Sequence, residues 1–125
     1  MSHTLVLISQ LVIAFGIYNV WLLRANRATE YRGGGAQNME EEFHVYGLST
    51  RCMKVVKIFK LSFATLLLLG VLYRPLACVG AVGMGGLMLA AVIMHAKVHD
   101  PIKKTLPALS LLALSLVVAF STSAG

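Results

Sequence analysis

Four stretches of this 125-residue chain are almost wholly apolar, each set off from the next by a polar or basic segment. A bilayer core about 30 Å thick asks for roughly 20 such residues per helix. Thr4–Leu23 carries no charge over that length, and Leu76–Met94 carries none either. Leu106–Phe120 is shorter but extends at both ends, while Met53–Tyr73 holds Lys54, Lys57 and Lys60 in its first half. The pattern predicts an all-α fold: a four-transmembrane-helix bundle in a single membrane domain over 1–125, with spans near 4–23, 53–73, 76–95 and 102–121. No basic region precedes the first stretch, and no small-residue cleavage site follows it. It is therefore read as an uncleaved span.

The polar loop 24–52 is the one long connection. Gly33-Gly34-Gly35 breaks it, since three glycines in a row leave the backbone free. Beyond the break, Met39, Phe43 and Tyr46 recur at helical spacing, with Glu40, Glu41 and Glu42 on the polar side. That predicts a short amphipathic helix over Gln37–Val45, lying at the membrane interface and closed by Gly47. Tyr18 and Trp21, near the end of the first span, suit the same interface.

Two further features concern packing. Ala77, Ala81 and Gly85 repeat at four and Gly80, Gly83 and Gly86 at three, a small-residue surface that lets helices approach closely. It serves either packing within the bundle or a homodimer seam, and it puts the third span at the centre. The last span starts either at Asp100-Pro101, in which case Pro107 kinks it, or at a later cap on Thr105.

Charge refines the map. Only 13% of residues are charged and 58% are hydrophobic, so the net charge of +6 sits in loops rather than along a soluble face. Arg24, Arg27, Lys54, Lys57, Lys97, Lys103 and Lys104 are read as interfacial residues facing lipid headgroups, which excludes nucleic acid as a partner. Ten of the eleven Lys and Arg fall on one side of the four-span map, with Arg74 alone on the other. The positive-inside rule then places the basic loops on the cytoplasmic-equivalent side and both termini outside. Cys52 begins the second span on the basic side and Cys78 begins the third on the other, a bilayer thickness apart and too far for a disulfide.

One ordered set of residues stands out: Phe43-His44-Val45-Tyr46-Gly47-Leu48, then Lys60, Phe63-Ala64, the run Leu66–Leu69 before Pro75, His95, Val98-His99-Asp100-Pro101 and Pro107-Ala108. In their order and spacing the chain resembles the DoxX-like family of small four-helix membrane proteins. The resemblance implies a helical bundle in a membrane. It implies several roles: subunits of quinone-linked sulfur oxidoreductases, components of membrane oxidative-stress complexes, or assembly chaperones for channels. The second acidic residue that often stands near Lys60 in the family is absent here.

Ionisable groups beside hydrocarbon invite a functional explanation. His95 and His99 share a face if the third helix continues, and Asp100 adds a carboxylate of the kind that ligates zinc or iron. Only His44 is available as a further ligand, so no metal is assigned. Lys60 and Asp100 lie on the same membrane side, and pairing would offset the burial of each. Lys60, His95, His99 and Asp100 are thus a candidate polar cluster at the basic mouth of the bundle. Such a cluster either staples the helices or holds a quinone headgroup through hydrogen bonds to its carbonyls. No catalytic constellation is complete and no cofactor motif is present. The sequence therefore reads as a non-catalytic accessory subunit or assembly factor, its partners being the bilayer and other membrane subunits or a second copy. The alternative is a quinone-interacting subunit of an oxidoreductase.

Overall fold

The structure is a computed structural model that describes residues 3–23 and 32–123. Every regular element among them is helical: α1 (His3–Tyr18), α2 (Met39–Val45), α3 (Thr50–Leu69), α4 (Arg74–Lys97) and α5 (Ile102–Ser123). Arg24 and Arg27 fall outside the described residues.

Local chemistry accounts for the element ends. Asn38 caps α2 by accepting the Glu41 N–H at 2.8 Å, and Ser49 caps α3 by accepting the Cys52 N–H at 3.1 Å. Pro75 occupies the first turn of α4, where its missing N–H is not needed. α2 ends in a Schellman motif: Gly47 N–H reaches the His44 carbonyl at 3.0 Å and Leu48 N–H reaches Phe43 at 2.9 Å, with Gly47 at φ +81°. Gly47 thus stands one position beyond the cap, which is Tyr46. α5 starts at Ile102, so Pro107 falls inside it and withdraws the N–H that would bond to the Lys103 carbonyl.

The four long helices close a square. α1 packs on α3 and α5, and α4 packs on the same two, so α4 is a corner diagonal to α1 rather than the expected centre. Its small residues explain its tight fit. A Cβ at Gly80 would press on the Phe63 carbonyl, one at Gly83 would overlap the Phe63 ring, and Gly85 faces Ser115 of α5. Within a bilayer, lipid tails remove most of the hydrophobic drive for helix association, so close van der Waals packing of this kind does the holding. Ile13, Leu67, Met84 and Val118 fill the middle with no exposure. Gln10 adds a hydrogen bond from α1 to the Leu67 carbonyl at 3.0 Å.

Three helices are long and apolar enough to cross a membrane: His3–Leu23, Arg74–Lys97 and Ile102–Ser123. The second expected span does not join them. α3 ends at Leu69, and Arg51, Lys54, Lys57 and Lys60 interrupt its first eleven residues. The expected interfacial helix also differs. α2 does lie between the first two long helices, but Met39 and Phe43 are buried within the protein and Trp21 meets Phe43 edge-on at 5.9 Å. Its apolar face therefore covers the end of the bundle. Trp21 itself is only 3% exposed, turned inward by the π-helical turn Asn19–Leu23 that finishes the first span.

Candidate functional site

The site occupies the basic end of the bundle, where α2 lies over the ends of α1, α3 and α4. It is built from the last turn of α4. The backbone does not carry the helix on to His99. Instead, His99 N–H bonds to the Ala96 carbonyl at 3.1 Å and Asp100 N–H to the His95 carbonyl at 3.0 Å, a second Schellman motif. His99 takes the left-handed position at φ +57°, the one non-glycine residue among those described to do so. The reversal swings Asp100 back over its own helix, and His95 Nδ1 meets Asp100 Oδ2 at 2.8 Å. His99 is left exposed and apart from His95. The two histidines thus do not share a face, because the helix stops between them.

From this pair a chain of polar contacts leads into α2 and the loop before it. Asp100 Oδ1 accepts the Gly34 N–H at 3.0 Å, a contact across 66 positions of sequence. His95 Nε2 lies 3.5 Å from the Tyr46 hydroxyl, which in turn donates to Glu42 at 3.1 Å. Glu42 also accepts the Gly33 N–H at 2.6 Å and pairs with Arg32 at 3.3 Å. Lys97 donates to the Tyr46 carbonyl at 2.8 Å, fastening the end of α2 to the end of α4. Asp100 and Glu42 each need a proton donor, so His95 carries hydrogen on Nδ1 and Tyr46 remains a phenol.

The electrostatics agree. Burial pushes the Tyr46 hydroxyl up, and the adjacent Glu42 carboxylate pushes it further. Burial also opposes ionisation of Asp100. The Gly34 amide, the His95 hydrogen bond and charge, and Lys104 together outweigh it and hold this carboxyl below its ordinary range.

Lys60 stands apart from this network. The expected Lys60–Asp100 ion pair is absent, because the turn after α4 commits Asp100 to His95 and Gly34. Lys60 is 9% exposed on α3, and its ammonium lies 4.7 Å from the centre of the Trp21 ring. No hydrogen-bond acceptor or carboxylate is in contact with it among the described residues. The cation lies against an aromatic face, with the Glu42 carboxylate of the same cavity acting on it through its charge without direct contact.

Lys60, Trp21, Tyr46 and His95 all open onto one cavity of about 630 Å³. Its walls are mostly apolar, with Phe43, Val56, Met88 and Leu111 among them; Arg32, Glu42, Asn19 and Cys52 also line it, and Lys104 and Pro107 lie at the α5 side. This is the size and character of a small-molecule site: apolar walls with a few convergent polar groups. Lys54, Lys97 and Lys103 are exposed, while Lys57 and Lys104 are half-buried.

The geometry does not assemble a metal centre. His44 Nε2 is 3.1 Å from the Thr50 hydroxyl, and among the described residues no three His, Cys, Asp or Glu come together to hold an ion. A quinone headgroup does fit the residues present, because a buried ammonium without an acceptor suits a carbonyl oxygen. Trp21, Glu42 and Arg32 were not among the site residues expected from sequence. The helical step from Glu42 to Tyr46 is the one local signal that could have singled out Glu42 from its two neighbours.

No curated protein and no solved structure compared with the chain matches it. A family model does, over residues 32–118, which takes in α2 to α4, most of α5 and every residue of the His95–Asp100–Tyr46–Glu42 network. The chain belongs to the DoxX-like family.

Proposed function

We propose that this protein is an accessory membrane subunit that holds a quinone-class headgroup in the cavity at its basic end. The observation that carries the reading is Lys60: a buried ammonium over an aromatic ring, without a hydrogen-bond acceptor among the described residues, opening on a mostly apolar cavity of about 630 Å³. A cation without an acceptor is costly at this depth, and a carbonyl oxygen supplied by a ligand would offset that cost. A quinone, when bound, supplies two-electron redox chemistry. The chain's own groups do different work. Lys60 donates a hydrogen bond, Trp21 provides a face for a ring, and His95, oriented by Asp100, presents Nε2 beside the Tyr46 hydroxyl as a proton-handling pair. Electrons would come from a partner subunit, which is why the role is accessory.

The same reading takes α3 as the fourth span, with Lys54 and Lys57 reaching back to the surface along their stems. The basic end then faces the cytoplasmic-equivalent side and both termini face outward.

Trp21 is the chain's single tryptophan, so its fluorescence reports this site alone. Titration with duroquinone should quench it along a saturating curve, and Lys60→Met should weaken the apparent affinity about tenfold, or 1.4 kcal/mol. Quenching that rises linearly and equally in both proteins would show mere partition into the lipid and sink the proposal.

A further inference from the structure

Cys52 is half-buried in the first turn of α3 and is one of the residues that line the same cavity as Lys60. Cys52, Val56 and Lys60 follow one another at four-residue steps, so all three lie on one stripe of the helix. The helix rises about 12 Å between Cys52 and Lys60. Helical side chains lean toward the N-terminus, so the stem of Lys60 runs back toward Cys52 and shortens the gap. The position of the ammonium over Trp21, at the basic end of α1, agrees with that direction. A second thiol, Cys78, sits in the first turns of α4 at the opposite end of the bundle.

We infer that Cys52 is a covalent capture site for electrophilic quinones that bear an open ring position, with Lys60 fixing the ring by one carbonyl while the thiol meets the opposite edge. This rests on the quinone reading above. It does not rest on the cysteine alone, because Lys60, nine-tenths buried in the same cavity and without a hydrogen-bond acceptor among the described residues, independently points to a ligand with an acceptor oxygen.

The step balances without any other reagent. Cys52 sulfur forms a bond to the open ring carbon and its S–H bond breaks, that proton passing to one carbonyl oxygen. The hydrogen on the attacked carbon then moves to the second oxygen as the ring becomes aromatic. The product is a thioether hydroquinone: the ring is reduced by two electrons and the carbon–sulfur bond is the oxidised counterpart. A fully substituted ring offers no such position, so it binds without reacting. The cavity thereby separates substituted quinones, which pass, from open ones, which stay.

The test uses the full chain in detergent with p-benzoquinone as the electrophile, iodoacetamide as a thiol reagent without a quinone ring, and duroquinone as the inert occupant. Peptide mass spectrometry reads the adduct at each cysteine over time. The expected result is addition at Cys52 about tenfold faster than at Cys78, slowed to the Cys78 rate by prior duroquinone. Lys60→Gln should abolish the advantage toward p-benzoquinone while leaving iodoacetamide labelling of Cys52 unchanged. The duroquinone arm needs no variant, so the outcome does not depend on how Lys60→Gln folds. Saturable Trp21 quenching together with equal rates at Cys52 and Cys78 would overturn the capture site and leave the quinone reading standing. Absence of both quenching and rate difference would overturn the two together.

Discussion

At the scale of single residues, the decisive position is His99, which has no contact with the cavity. Its left-handed backbone lets Asp100 return to His95 and Gly34. A left-handed conformation costs an ordinary side chain roughly 1–2 kcal/mol, and a β-branched one resists it most. His99→Val should therefore lower stability by about that amount, whereas His99→Gly should match or exceed the parent; thermal unfolding in a mild detergent distinguishes them. Asp100 gives a second prediction. Its carboxyl is held below its ordinary value of 3.8 despite burial, so its contribution is fully present above pH 3.8 and is lost as pH falls through the lower folded value. Asp100→Ala should cost on the order of 1–3 kcal/mol at neutral pH, the range for a charge-assisted hydrogen bond. That gap should shrink below pH 3.8; a gap constant from neutrality into strong acid would show that the latch does not act through the ionised carboxylate. His95, Lys60 and Asp100 stood out in the sequence as ionisable groups beside hydrocarbon. That Asp100 serves His95 and not Lys60 was not legible, since it turns on one φ angle.

Elements show the opposite balance. Helix ends at Asn38, Ser49, Pro75 and Gly47 follow from short-range chemistry, although of these only Gly47 reads as a helix cap from the sequence. The small-residue surface of α4 was equally visible, but its two uses were not separable until the neighbours were known. Phe63 and the Leu66–Leu67 turn of α3 take Gly80 and Gly83, and Ser115 of α5 takes Gly85. Packing within the bundle accounts for all three. Gly70 makes the least forgiving approach, since a Cβ there would overlap the Ala77 backbone, which has no flexible end to move. Gly70→Ala should accordingly destabilise the protein by about 1–3 kcal/mol through overpacking, while Gly86→Ala, which meets open space, should change stability by under about 0.5 kcal/mol. Equal effects at the two positions would refute the account of the α3–α4 contact. The amphipathic stripe of α2 was also legible as a stripe. Its destination was not, because an apolar face satisfies lipid and protein core alike.

For the molecule as a whole, the arrangement of ends is a tertiary fact with a topological consequence. The Arg74 guanidinium binds the Ser121 carbonyl near the end of α5, and a smaller cavity of about 340 Å³ joins both to His3 at the start of α1. Lys97, Lys104, Arg32 and Arg51 gather at the other end, together with α2 and the larger cavity. If α3 crosses the membrane, Cys52 and Cys78 face opposite compartments. In sealed vesicles of one orientation, a membrane-impermeant maleimide should label one of them from outside and the other only after permeabilisation; labelling of both from one side would reduce the spans to three. The chain's composition alone determined that it is helical, that it meets lipid and that its cations crowd one end, because hydropathy, helical period and capping act over a few neighbouring residues. The tertiary structure alone decided what those cations meet. The contacts that build the site join positions 49, 51 and 66 apart, and they depend on how four helices rotate against one another and where one turn reverses. No local pattern carries that information, which is why Lys60 was recognised as a buried charge but only the fold set it over Trp21.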